Sequence, residues 1–144
     1  MTFVSEQSLD WQTAAQLTAA ACEHAITQGL KICVQVVDRH GNPLAMQRIN
    51  HTPMHCTEIA ADKAYTAAGF SFATHEWQQR LQQKPQLLDG LSKRPRLVVF
   101  GGGLPIFHGG TLLGAIGVSG ATELQDIECA QAGLDALRCN SDEP

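Results

Sequence analysis

Aromatic side chains are scarce in this chain, at 6% of its residues, and charged ones amount to only 17%. Long apolar runs are missing as well. A stretch such as Leu112 to Val118 falls far short of the roughly 20 residues a helix needs to cross a bilayer, so no membrane segment is expected. The ten Lys and Arg are scattered, with only Lys93, Arg94 and Arg96 close together. That is too little for a phosphate track and argues against nucleic acid as a partner. The five cysteines, Cys22, Cys33, Cys56, Cys129 and Cys139, are odd in number and include no CxxC. They do not make a disulfide framework and read as buried structural thiols.

Catalytic signatures are absent too. The run Gly101-Gly102-Gly103 has neither GxGxxG nor GxxxxGK[ST] spacing, and the histidine-rich stretch His51 to Cys56 is not HExxH. Ser119 lies in GVSG, without the GxSxG nucleophile elbow. No catalytic constellation is recognisable. The opening MTFVSEQSLDW carries neither the basic nor the apolar region of a secretory leader, which predicts a cytoplasmic protein.

What is present suits one small core. Of 144 residues, 44% are hydrophobic, enough for a single domain over 1–144. The thinly charged surface predicts a homo-oligomer.

Alanines, Leu17, Cys22 and Ile26 recur at helical spacing from Asp10 or Trp11 to Gln28, before Gly29 stops the helix. Ile32 to Val37 and Leu44 to Ile49, separated by Arg39-His40-Gly41-Asn42-Pro43, predict a hairpin. Pro53 suits the first turn of a helix running to Gly69, and Thr74 caps another over His75 to Gln83. A loop bracketed by Pro85, Gly90 and Pro95 follows. Strands are expected at Leu97 to Phe100, Leu104 to Phe107 and Thr111 to Val118. Gly120 should take angles that a β-branched residue reaches poorly, and Thr122 with Gln125 forms a capping box for the last helix. The order is α-β-β-α-α-β-β-β-α, an α+β fold with five antiparallel strands.

Three segments, VVDRHGNPLAMQRI at 36–49, IAADKAYTAAGF at 59–70, and GGGLPI with LLGAIGVSGA at 101–121, agree in order and spacing with a known family. The chain resembles the GlcG/HbpS-like family, which includes the C-terminal domain of PduO-type proteins. The resemblance implies a profilin-like five-stranded antiparallel sheet flanked by helices, assembled into oligomers. Some relatives bind haem and are linked to redox sensing; others are encoded near glycolate, propanediol or glycerol metabolism.

Candidate site residues fall in four places. His51, His55, Cys56, Glu58 and Asp62 form the densest run of ligands, several at i,i+3 or i,i+4 spacing. Imidazole and thiolate suit zinc, iron or haem iron, so His51, His55 and Cys56 are candidate metal ligands, with helix capping as the competing role. His24, among Ala20, Ala21 and Ala25, is a candidate axial ligand of haem, or a plain surface histidine. Gly101, Gly102 and Gly103, followed by Pro105, can line an organic-ligand pocket or simply make a turn. Arg48 and Lys63 can meet a carboxylate or haem propionate, or pair with Asp38, Glu58 or Asp62. His40, His75 and His108 read as turn, cap or exposed residues.

Three functions stand against one another. The leading one is a non-catalytic small-ligand or haem-binding protein, an accessory or redox-sensing component of small-molecule metabolism. The others are an enzyme acting on a small hydroxy or oxo acid and a ligand-free structural or regulatory subunit.

Overall fold

The computed structural model describes residues 1–139 and 141–142. Asp10 caps the first helix, α1 (Trp11–Thr27), by accepting the Thr13 N–H on its carboxylate at 2.9 Å. Beyond Gly29 the chain enters β1 (Cys33–Asp38) and turns back as β2 (Pro43–Arg48). Asp38 ties this turn: its Oδ1 accepts the backbone N–H of His40 at 2.8 Å and of Asn42 at 3.0 Å. α2 (His55–Phe70) follows, then a 3-10 turn at Thr74–Glu76, the short α3 (Trp77–Arg80) and α4 (Pro85–Ser92). The hairpin β3 (Gly103–His108) and β4 (Thr111–Ser119) leads through the expected Thr122–Gln125 capping box into α5 (Glu123–Ala136). Among the described residues no helix is long and apolar enough to cross a membrane.

All pairings in the sheet are antiparallel, and the strand order is β2-β1-β4-β3. Among the described residues the sheet therefore has four strands and five helices accompany it, which corrects the five-stranded profilin-like expectation. The expected strand at Leu97 to Phe100 is irregular chain. Its backbone donors are spent elsewhere: Leu97 N–H on Arg94 O at 3.3 Å, and Val98 N–H on the Thr66 hydroxyl of α2 at 3.1 Å. The segment is apolar because Val98 is buried, not because it joins a ladder. Two helices differ likewise. The one expected over His75 to Gln83 begins as a 3-10 turn and ends at Arg80, and the expected loop after Pro85 is α4, with proline in its first turn.

α1 and α5 cover one face of the sheet, where Leu17, Val34, Val36, Ile106, Ile116, Val118 and Leu134 form the main core. Each such side chain contributes about 1.5–3 kcal/mol by leaving water. α2 covers the other face through small residues, Ala60, Ala64, Ala67 and Ala68, against Cys33, Val37 and Ala115. Its backbone comes unusually close to the sheet. A Cβ added at Gly117 would strike the Ala60 carbonyl and stand 2.5 Å from Ala64 N, and one at Gly103 would stand 2.5 Å from Lys63 O. Alanines on the helix and glycines beneath it are thus two halves of one packing arrangement, and it fixes where Lys63 enters the structure.

Candidate functional site

Lys63 projects from α2 through this close contact. Its ammonium donates to Val118 O at 2.7 Å and to Asp126 Oδ2 at 3.0 Å, with both side chains almost entirely shielded. The other Asp126 oxygen accepts the Ala121 N–H at 2.9 Å. Burial pushes Lys63 below the usual lysine range, and the Asp126 charge opposes the shift. Burial likewise raises Asp126, and Lys63 opposes it. The partner of Lys63 is therefore on α5, not one of the nearby carboxylates Asp38, Glu58 or Asp62.

The glycine run folds over the same pair. A Cβ on Gly102 would lie 2.6 Å from Lys63 Nζ. The Gly101 N–H donates to Glu123 at 3.0 Å and the Gly103 N–H to the Thr74 hydroxyl at 2.9 Å. Pro105 is in β3 opposite Ala115, at the sheet edge where a missing N–H breaks no ladder. Gly101, Gly102, Gly103 and Lys63 are thus brought together, but around an internal ion pair, while Pro105 lies further along β3.

The remaining candidates are dispersed. Arg48, at the end of β2, donates from Nη1 to Thr52 O at 2.9 Å and so braces the loop into α2. His51 sits in that loop at φ 72°, outside the helix. His55 opens α2 and is exposed, whereas its neighbour Cys56 turns inward against Cys33 and Ala60. His24 faces α5 across a shallow groove of about 290 Å³ with Glu128, Gln131, Ala132 and Asp135. Among the described residues no three His, Cys, Asp or Glu side chains converge to hold a metal ion.

A different set meets at the other end of α2. Arg39 and His40 of the β1–β2 turn, Tyr65, Ala68, Gly69 and Phe70 of α2, and Leu97 line a crevice of about 470 Å³, within the range of small-molecule sites. The Tyr65 and Phe70 rings are each more than a third exposed. Both are braced from behind, Tyr65 by the Arg96 guanidinium 3.9 Å from its centroid and Phe70 by the edge-on ring of Trp77 at 4.6 Å. His40 Nε2 is 2.7 Å from Glu6 Oε2. This group escaped the sequence reading because it comes from three separated segments. The one local hint was a pair of aromatic residues near the end of an otherwise alanine-rich helix.

Comparison with known proteins adds four findings. Residues 9–135 match the family described as haem degrading protein HbpS-like. The chain is 39% identical over 126 residues to an uncharacterised 15.0 kDa protein of the dhaT–dhaS intergenic region of Citrobacter freundii, covering 86% of this chain and 89% of that one. It is 33% identical over 132 residues to the corrinoid adenosyltransferase PduO of Salmonella typhimurium, covering 90% of this chain but only 39% of that protein. Among solved structures, a PduOC–haem complex superimposes with a TM-score of 0.85 at 32% identity, over 93% of this chain and 98% of that one.

Proposed function

Since the chain belongs to the HbpS-like family, we propose that it is a non-catalytic haem- or small-ligand-binding protein, an accessory or redox-sensing component of small-molecule metabolism. The observation that carries this reading is the fold shared, almost end to end, with a relative held in complex with haem. Haem needs a donor atom for its iron, a flat apolar wall, and positive charge near its carboxylates. The crevice at the end of α2 supplies an imidazole, two exposed rings with Leu97, and the Arg39 guanidinium, so the residues fit the group. Bound haem would supply iron redox chemistry, and the chain's part is to hold and orient it. His24, His51, His55 and Cys56 remain alternative metal ligands, and Arg48 an alternative partner for a propionate.

The test is a haem titration of the purified protein. A saturable shift of the Soret band is expected, beyond that of haem in buffer. A flat titration would overturn the reading in favour of the hydroxy- or oxo-acid enzyme or the ligand-free subunit.

The protein is further proposed to act in the cytoplasm as a single-domain homo-oligomer over 1–144. Support for assembly comes from α4, none of whose residues is buried although Leu87, Leu88 and Leu91 give it an apolar side. Its five free cysteines suit a reducing compartment. Sedimentation equilibrium at micromolar concentration should return a multiple of 15.5 kDa, and the monomer mass would sink the proposal.

A further inference from the structure

The β3–β4 hairpin is not a regular ladder. Its register passes from Ile106 opposite Gly114 to Phe107 opposite Leu112, so Leu113 has no partner across the pair and forms a bulge. The Leu113 carbonyl instead accepts the Leu9 N–H at 3.0 Å and the Ser8 hydroxyl at 3.4 Å, which fastens the segment before α1 to the strand. Between this fastening and the end of α5 lies a crevice of about 470 Å³, large enough for a small molecule. Leu9, Ile106, Phe107, Leu113 and Leu137 line it, and Asp10, Arg138 and Cys139 are among its polar residues. It shares no lining residue with the crevice at the end of α2.

Arg138 is unusual for its position. The Cys139 N–H donates to Leu134 O at 2.9 Å and the Arg138 N–H to Asp135 O at 3.1 Å, the two bonds of a Schellman cap. Arg138 therefore stands where such caps favour glycine, and it holds φ 55° in the left-handed region. Its side chain is exposed and, among the described residues, makes no ion pair or hydrogen bond. A strained position that carries a cation with no partner inside the fold, at the mouth of an apolar crevice, points to an anionic ligand.

We propose that this crevice binds an apolar monocarboxylate, a medium-chain or arylalkyl acid, with Arg138 meeting the carboxylate and the apolar lining taking the body. The site is additional to the haem-binding reading and stands without it. Asp10 limits the charge of the ligand. Hydrogen bonds from the Thr13 hydroxyl and then its backbone N–H hold the Asp10 carboxyl below its ordinary range, so it is ionised near neutrality and repels a second acidic group. The other openings suit this ligand less. At the end of α2 the Arg39 guanidinium already faces Glu6, and the His24 groove is lined by Glu128 and Asp135.

The experiment is isothermal titration calorimetry of the haem-free protein with sodium octanoate, compared with butanoate, octanedioate and octan-1-ol. Octanoate should bind saturably, one per chain, and affinity should fall about two- to fourfold for each CH₂ group removed towards butanoate. Octanedioate and octan-1-ol should both bind more weakly. Arg138→Gln should weaken octanoate by about 3–10-fold, the scale of a partly exposed ion pair, and leave octan-1-ol unchanged. Lys31→Gln, the same charge change at an exposed residue outside the crevice, should alter neither. Arg138→Gly should weaken octanoate as Arg138→Gln does while raising the melting midpoint, because glycine relaxes the left-handed position. Saturating octanoate should also slow alkylation of Cys139 by iodoacetamide, which locates the ligand. No binding by wild type, an equal loss in Lys31→Gln, or alkylation of Cys139 that octanoate leaves unchanged would overturn the site. Octanedioate as tight as octanoate would overturn the assignment to monocarboxylates. A lower melting midpoint for Arg138→Gly would make Arg138 a structural tie and overturn its role towards the ligand. No arm contains haem, so failure here is distinguishable from failure of the haem-binding reading.

Discussion

Lys63 and Asp126 are 63 positions apart in the chain, and their charged groups meet at 3.0 Å where water reaches neither side chain appreciably. The pair bolts α2, which carries Lys63, to α5, which carries Asp126, beside the C-terminal end of the central strand β4 at Val118. A buried pair of this kind gains little over an apolar replacement, but it is expensive to break on one side.

Asp126→Ala should therefore lower stability by about 3–5 kcal/mol, because it strands a buried ammonium beside Val118 O. The double variant Lys63→Met, Asp126→Leu should recover most of that loss. Urea denaturation of the single and double variants is the measurement, and a double variant as unstable as the sum of its parts would count against the account.

Two glycines should respond in opposite directions to alanine. At Gly117 the new methyl meets the Ala60 carbonyl of α2, so Gly117→Ala should cost roughly 1–3 kcal/mol or more. Gly90 lies in exposed α4 with nothing near its missing Cβ, and Gly90→Ala should gain about 0.5–1 kcal/mol. Melting midpoints that move together would contradict the close approach of α2 to the sheet.

The Asp38 turn predicts an acid limb. Burial by itself would raise the Asp38 carboxyl, but the backbone and side-chain N–H groups of Asn42, then the backbone N–H and charge of His40, outweigh it and hold the group below its ordinary 3.8. A folded value below the unfolded one contributes stability above the unfolded value, and loses it as pH falls through the folded one. Wild type should thus lose stability below about pH 4, and Asp38→Asn should be less stable at pH 7 with a flatter acid limb. Parallel pH–stability curves for the two proteins would refute the assignment.

Thiol reactivity should be graded by position. Burial pushes Cys22 and Cys129 up to about 11, so at pH 8 both are protonated as well as shielded. Cys139 is only half-buried and should be the first to react with iodoacetamide in the native protein. Mass spectrometry over a labelling time course decides it: equal rates at Cys22, Cys129 and Cys139 would show that the α1–α5 packing opens readily.

Much of the framework can be read from neighbouring residues because the interactions that make it are local. Asp10 reaching Thr13, Thr122 reaching Gln125 and the β1–β2 turn each close within a few residues. Gly120 adopts φ +139°, where the apolar strand had to break. The family signal likewise comes from ordered local segments.

Tertiary structure decided the rest. An apolar stretch such as Leu97 to Phe100 is equally suited to a strand or to a segment covering a helix, and only the Thr66 hydroxyl, 32 residues before Val98, determines which. The partner of Lys63 was equally hidden, since nearer carboxylates competed on paper and Asp126 won by burial. The crevice needed the most from the fold. Glu6, His40, Tyr65 and Leu97 carry no common spacing, and they meet only because the turn of a hairpin comes to rest beside the end of a helix lying across the sheet. Periodicity reports which face of an element is buried; which elements meet at their ends is set by packing across the whole sheet, and the binding chemistry proposed for this protein depends on that meeting.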